Sequence, residues 1–335
     1  MSINRPATLR EAYVEASSFL RRSGVLEPES NARLLLEHLL GESRTGLFLR
    51  WPEPFPRERE ADWQRLLSRK ASGEPVQYII GEQEFYGLPF TVTPAVLIPR
   101  PETELLVEQV VRLGRQLWGD GTVPAGEGGG LSGNRGRTAA AAEPDSACGA
   151  GQAGVAGFGS GGPRIADVGT GSGAIAVSLA VQCPGWRVTA SDISLEALEV
   201  ARGNSLRHGV AERVAFVEGD LLRPWIERGE PLDAVVSNPP YIPEGEEPSL
   251  QPEVRLYEPH TALFGGADGL EPYRRLTAQL GELAKLPQLV AFEVGQGQAP
   301  AVRSLLEQTA KWDEMLVVSD LAGIERHVIA YRKKS

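Results

Sequence analysis

Four consecutive residues, Asn238-Pro239-Pro240-Tyr241, combine types that can hold a planar NH₂ group. Proline has no N–H and a fixed φ, so the two prolines stiffen the segment and donate nothing. The Asn238 side-chain oxygen and the Pro239 carbonyl are then acceptors for both N–H bonds of an amide or an exocyclic amine. Tyr241 offers a flat face to a planar group. Such a nitrogen is a poor nucleophile, because its lone pair is delocalised. Two acceptors orient it and favour the return of electron density to nitrogen. Transfer of a methyl group from a sulfonium then depends on positioning and electrostatics, with no side-chain nucleophile. Asn238, Pro239 and Tyr241 are expected to carry that reaction, and Pro240 completes the substrate-binding loop.

A second cluster supplies the other half of such a site. Asp167-Val168-Gly169-Thr170-Gly171-Ser172-Gly173 follows one expected strand and opens a helix. Glycines there let the backbone turn tightly and approach a ligand. Asp192 ends the next strand, where a carboxylate can accept from both ribose hydroxyls. Asp220 ends the third and can accept from an adenine amino group. The expected cofactor-binding set is Asp167, Gly169, Thr170, Gly171, Ser172, Gly173, Asp192, Asp220, Leu221 and Asn238, and the expected cofactor is S-adenosylmethionine. The glycine run alone also fits dinucleotide binders. A nicotinamide enzyme, however, needs a hydride-transfer site after a later strand, and this chain offers the asparagine-proline loop there.

These residues need a frame that brings strand ends to one rim. From residue 164 onward the chain alternates between strand and helix signals. Strands are expected at 164–168, 187–190, 214–217, 232–236, 289–294, 316–319 and 326–332, with helices starting near Gly173, Ser194, Glu271 and Ala299. This is a doubly wound α/β domain, and such folds bind ligands at the carboxyl ends of the strands. Residues 1–74 read as a small helical bundle, expected to serve as a substrate-docking domain. Thr8 caps a first helix to about Arg22, a second runs from about Glu29 to Leu40 before Gly41, and a third follows Pro56. Residues 75–98 read as a β-hairpin linker, with strands at 76–80 and 89–92. A domain over 99–335 begins with Ile98-Pro99-Arg100-Pro101 and a helix to about Trp118. It is interrupted at 119–163 by a stretch rich in glycine and alanine, which reads as a disordered insertion.

The bulk properties exclude several classes. The chain has 335 residues, 41% hydrophobic and 23% charged, with a net charge of −10. That acidic total speaks against a protein that holds long duplex nucleic acid. No apolar run is long enough for a membrane span, and no secretory signal is visible at the start. The two cysteines and four histidines lack metal-ligand spacing. No metal, no membrane, no direct nucleic-acid contact, a reducing cytoplasmic setting and a monomer are expected.

Further blocks make the chain resemble the peptide chain release factor N5-glutamine methyltransferases, the PrmC/HemK family. They are Gly73-Glu74-Pro75-Val76-Gln77-Tyr78-Ile79, Phe85-Tyr86-Gly87, and Ile98-Pro99-Arg100-Pro101-Glu102-Thr103-Glu104. Downstream come Tyr257-Glu258-Pro259, Leu263-Phe264-Gly265-Gly266 with Asp268-Gly269, and Glu293-Val294-Gly295. The resemblance covers nearly everything outside 119–163. It implies a class I S-adenosylmethionine-dependent methyltransferase, Rossmann-like with a seven-stranded sheet, behind a helical domain and a hairpin. It implies the glutamine of the Gly-Gly-Gln motif in class I release factors as substrate, and N5-methylglutamine as product. Gly169 to Gly173 and Asp192 would bind the cofactor and Asn238 to Tyr241 the glutamine, with Asn238 near both. The family often carries an aromatic residue where this chain has Leu221, which puts adenine stacking there in doubt; Trp225 lies four residues on.

Other readings stay open at this point. An adenine-N6 or cytosine-N4 methyltransferase would use the same loop chemistry. A non-catalytic adaptor for ribosomal or release-factor partners would leave the loop without work. Arg100 and Glu102 either close one wall of the cofactor pocket or form an ion pair that ties the domains together. Glu293 either supports the site from behind or is purely structural. The acidic run 244–247 reads as a solvated loop.

Overall fold

The computed structural model describes residues 6–119 and 161–333. The expected insertion therefore lies, from 120 to 160, outside the described residues, as does Cys148.

Five helices open the chain: α1 Leu9–Arg22, α2 Pro28–Leu40, α3 Arg44–Leu49, α4 Glu60–Ala71 and α5 Val76–Ile80. Thr8 caps α1, its hydroxyl accepting from Glu11 N, and Gly41 closes α2 in the left-handed region. Leu9, Leu20, Leu35, Leu36, Trp63 and Leu67 form a core shared by these helices. The helix α3 carries no strong sequence signal, being a single turn and a half.

Residues 76–80 correct an expectation. Their β-rich composition predicts a strand, but they form α5. Val76 and Ile79, three apart, are buried in the helical core, while Tyr78 faces another cluster and donates to Val96 O at 2.6 Å. Burial on two sides at helical spacing overrides strand propensity. The hairpin instead pairs β1 Glu82–Phe85 with β2 Leu88–Thr91.

The helix α6 Pro101–Trp118 leads into the α/β series: β3 Arg164–Val168, α7 Ala174–Gln182, β4 Arg187–Asp192, α8 Leu195–Arg207, β5 Val214–Glu218, α9 Arg223–Arg228 and β6 Ala234–Ser237. Then come α10 Pro252–Tyr257, α11 His260–Leu263, α12 Glu271–Leu280, β7 Leu289–Glu293, α13 Ala299–Thr309, β8 Glu314–Ser319 and β9 Glu325–Tyr331. The strands form one seven-stranded sheet in the order β5-β4-β3-β6-β7-β9-β8, parallel except for β9. All seven expected strands are present, with ends shifted by up to two residues.

The central strands are buried on both faces, which is why they read as continuous apolar runs. One face packs on α6 and α7 through Leu106, Val110, Ile175 and Leu179. The other packs on α12 and α13 through Tyr273, Leu276, Val302 and Leu306. The helical region is tied to this domain by Lys70. Its fully buried ammonium donates to Glu74 O at 2.9 Å and to Glu253 Oε1, on α10, at 2.6 Å. Tyr257 adds a hydrogen bond to Ser72 O at 3.1 Å. No helix among the described residues is long and apolar enough to cross a membrane.

Candidate active site

The strand order reverses between β3 and β6, and there a crevice must open at the carboxyl ends. Register places Val168 beside Ser237, and Ser237 Oγ donates to Val168 O at 2.7 Å. The four strand ends β4, β3, β6 and β7 thus present, side by side, Asp192, the Gly169 loop, Asn238 and Glu293. A cavity of about 400 Å³ opens over Asp192, the Gly169 loop and Asn238, with Glu293 buried behind. That size suits a nucleoside-sized ligand.

The glycine loop is anchored from below. Gly169 N and Thr170 N both donate to Ser191 O at 2.9 Å. Asp167 is fully buried and accepts from Thr170 Oγ1 at 2.6 Å and Ala176 N at 3.0 Å. Burial pushes its pKa up to about 7, against the pull of those two donors. Gly169 and Gly171 have φ of +73° and +54°, and nothing lies within 4 Å of where a Cβ would sit. They line the cavity with Thr170, Ser172 and Asp192. Asp192 accepts from Gly171 N at 2.9 Å and Ser194 N at 3.0 Å. Desolvation still pushes its pKa up. A backbone cradle open to the cavity beside a desolvated carboxylate fits the ribose and methionine portions of S-adenosylmethionine.

Not every expected cofactor residue reaches the wall. Asp167 and Gly173 sit behind it. Gly173 starts α7 and packs against Ala201, 3.0 Å from its would-be Cβ. Asp220 and Leu221 do line the cavity, and Asp220 pairs with Arg275 at the rim. Trp225 is buried among Leu222, Leu232 and Leu276 and takes no part in the wall, so it does not replace an aromatic near Leu221.

The asparagine loop is held just as firmly. Asn238 and Pro240 line the cavity; Pro239 is buried and Tyr241 packs half-buried against the second core. Asn238 Nδ2 donates to Thr103 Oγ1 at 3.1 Å, and Thr103 Oγ1 donates to Glu293 Oε2 at 2.7 Å. Glu293 is fully buried, and desolvation pushes its pKa up to about 7. Gln298 was not legible as a site residue. Its amide accepts from Gly295 N at 3.0 Å and donates to Tyr241 O at 2.9 Å, fixing the loop's far end. Gly265 and Gly269 permit close backbone approach: a Cβ would come within 2.6 Å of Pro240 O and 2.2 Å of Tyr241 O respectively. Gly269 also has φ of +73°. Gly269→Ala is expected to cost about 2–4 kcal/mol of stability in denaturant unfolding, from strain plus overlap.

In the 98–104 segment Arg100 reaches the cavity wall and Glu102 does not, and the ion pair that Arg100 makes stays within the 99–335 domain instead of tying the two domains together. Arg100 lines the cavity and also forms an ion pair with the buried Glu258, which accepts from Ile98 N at 3.4 Å. Glu104 accepts from Tyr86 N at 2.8 Å and ties α6 to the hairpin. The acidic run 244–247 lies in an exposed 3₁₀ turn.

The comparisons agree with this layout. A family model described as the PrmC N-terminal domain matches residues 11–81, and one described as the methyltransferase small domain matches 160–252. The chain is 37% identical over 320 residues to the release factor glutamine methyltransferase of Bacillus anthracis, covering 96% of this chain and 98% of that protein. The chain belongs to the release factor glutamine methyltransferase family. The relative so named in Moorella thermoacetica is 38% identical over 98% of this chain and 99% of its own length. That in Bacillus subtilis is 36% identical over 98% and 99%.

Within this family member, two buried carboxyls make stability depend on pH. The folded values of Asp167 and Glu293, each about 7, exceed their ordinary values of 3.8 and 4.5. The folded chain therefore holds these protons more tightly than the unfolded chain does. Their stabilisation is fully present below about pH 4 and is lost as pH rises through about 7. Glu293→Gln removes one share. Its unfolding free energy is expected to fall less than that of the wild type between about pH 4 and pH 8, by on the order of 3 kcal/mol. Denaturant midpoints across that range measure it.

Proposed function

We propose that this protein methylates the side-chain amide nitrogen, N5, of the glutamine in the Gly-Gly-Gln motif of class I peptide chain release factors. The observation that carries the reading is the Asn238 amide. It is pinned by Thr103 at the wall of the cavity that the Gly169–Ser172 loop and Asp192 also line. Among the described residues no donor reaches its Oδ1, which leaves an acceptor for an incoming NH₂.

S-adenosylmethionine supplies a methyl group activated on a sulfonium. In the proposed arrangement Asp192 accepts from ribose hydroxyls, and the open backbone at Gly169 and Gly171 allows close approach. Asn238 Oδ1 and the Pro239 carbonyl each accept one N–H of the substrate amide, aligning its nitrogen. Tyr241, packed against the second core and held through its carbonyl by Gln298, stiffens the loop's far end. The nitrogen gains the methyl and loses one proton to water, so no residue needs to act as nucleophile. The protein acts on a protein partner, as a cytoplasmic monomer, without direct contact to nucleic acid.

Parallel assays with labelled cofactor test this, one with a release factor and one with DNA. Label in the release factor, lost when its Gly-Gly-Gln glutamine is changed to alanine, is the expected outcome. Label in DNA with an untouched release factor would overturn the reading.

A further inference from the structure

An asparagine amide has two ends of nearly equal size and opposite hydrogen-bonding sense. Only one end can receive a substrate NH₂, so something must decide which end faces the cavity. The bonds around Asn238 form a one-way chain. An ionised Glu293 can only accept. The Thr103 hydroxyl has one proton and gives it to Glu293 Oε2 over 2.7 Å. Thr103 Oγ1 then has only lone pairs left for Asn238, and it accepts from Nδ2 over 3.1 Å. We infer that Thr103 and Glu293 are positioning residues that lock the Asn238 side chain with its oxygen toward the substrate; this rests on the proposed amide substrate. Glu293 does not line the cavity, and Thr103 does; both are assigned their effect through Asn238.

The lock depends on the charge of Glu293. A protonated Glu293 can donate to Thr103, which frees the Thr103 proton to donate toward Asn238. Both amide orientations are then allowed, and half the bound amides would meet NH₂ with NH₂. The groups around Glu293 come from several elements. The Thr103 hydroxyl lowers its pKa, Glu102 on α6 raises it, Arg326 on β9 lowers it, and the Asn238 amide lowers it by interacting with the carboxylate directly, which pulls Nδ2 in the same direction as Thr103 does. His327 on β9 lies 3.9 Å from Oε2, fully buried, and burial pushes its pKa down to about 4, so it is neutral. Tyr273 on α12 donates to the Glu293 carbonyl at 2.7 Å, and the Tyr241 phenol, pushed up by burial and by Glu293, stays protonated. Burial outweighs these neighbours and brings the Glu293 proton into the range near pH 7.

The test compares wild type with Thr103→Val, Thr103→Ser and Glu293→Gln. Steady-state methylation of a release factor gives kcat and KM, and calorimetry gives cofactor affinity. Thr103→Val is expected to lower kcat by about tenfold to a hundredfold, with cofactor affinity within about threefold. Thr103→Ser, which keeps the hydroxyl, should restore most of that loss. The acid limb of kcat, centred near pH 7 in the wild type, should be absent from Glu293→Gln. A second arm needs no substrate: the Asn238 side-chain NH₂ resonance in protein labelled at asparagine, identified by its absence from Asn238→Ala. Its shift should titrate near pH 7 in the wild type and not in Glu293→Gln, and its proton exchange should quicken in Thr103→Val. An unchanged kcat in Thr103→Val, a loss that serine does not rescue, or an Asn238 resonance indifferent to all three changes would overturn the inference. If the release factor is not methylated by the wild type, the amide-substrate reading fails while the resonance arm still decides the lock.

Discussion

Asn238→Ala is expected to lower kcat by about a hundredfold to a thousandfold, the scale seen when one preorganised polar contact to a reacting group is removed. The change takes away the cavity-facing amide oxygen that the proposal places against the substrate NH₂. It also strips Thr103 of its donor, but Thr103 keeps its bond to Glu293, so the fold should hold. Cofactor affinity should change little, because the Gly169 loop rests on Ser191 and Asp192 rather than on Asn238. Asn238→Asp should be equally inactive above neutral pH. It has nearly the same shape, but its anion has no N–H for Thr103 and lies close to Glu293. Turnover measured at saturating cofactor, with thermal unfolding as a control, separates the effect from misfolding. A variant retaining more than about a tenth of wild-type kcat would place the substrate contact elsewhere.

Asp192→Ala carries the second large effect, on binding instead of turnover. Two charge-assisted hydrogen bonds to ribose hydroxyls, at roughly 1.5–3 kcal/mol each, would be lost. Cofactor affinity should fall by about a hundredfold or more in calorimetry. Part of the loss would come through the loop, since Asp192 also accepts from Gly171 N and Ser194 N. Asp192→Asn separates the two contributions. It keeps an oxygen for one of those backbone donors and loses the charge, so an intermediate loss is expected. Release factor affinity should stay within about threefold in both variants, as Asp192 stands two strands away from Asn238 across the sheet. A cofactor affinity unchanged in Asp192→Ala would remove the ribose from this corner of the cavity.

The parts of this site that were legible in sequence are those whose residue types announce a local geometry. The strand signals at 164–168, 187–190 and 232–236 lay in an alternating strand–helix series, and what followed each strand had to stand on one rim. Asn238, Asp192 and the glycine loop followed from that. Thr103, Glu293 and Gln298 were less visible for a physical reason. Thr103 is 135 residues from Asn238 and 190 from Glu293, and only the packing of α6 over β7 brings the three hydroxyl, amide and carboxyl groups together. Gly265 and Gly269 entered through resemblance alone. Their reason, close passage of the chain past Pro240 O and Tyr241 O, exists only after folding. Residues 76–80 misled for a similar cause: β-branched and aromatic types at helical spacing were claimed by two separate cores. The short helices α9, α10 and α11 offer too few turns for any periodicity to register.

The central claim is that an amide held by Asn238 receives the methyl group. Mass spectrometry of a release factor incubated with this protein and S-adenosylmethionine tests it most directly. The account predicts a gain of one methyl, localised by fragmentation to the side chain of the Gly-Gly-Gln glutamine and absent with Asn238→Ala. A methyl on any other residue, or the same gain with Asn238→Ala at wild-type rate, would contradict it.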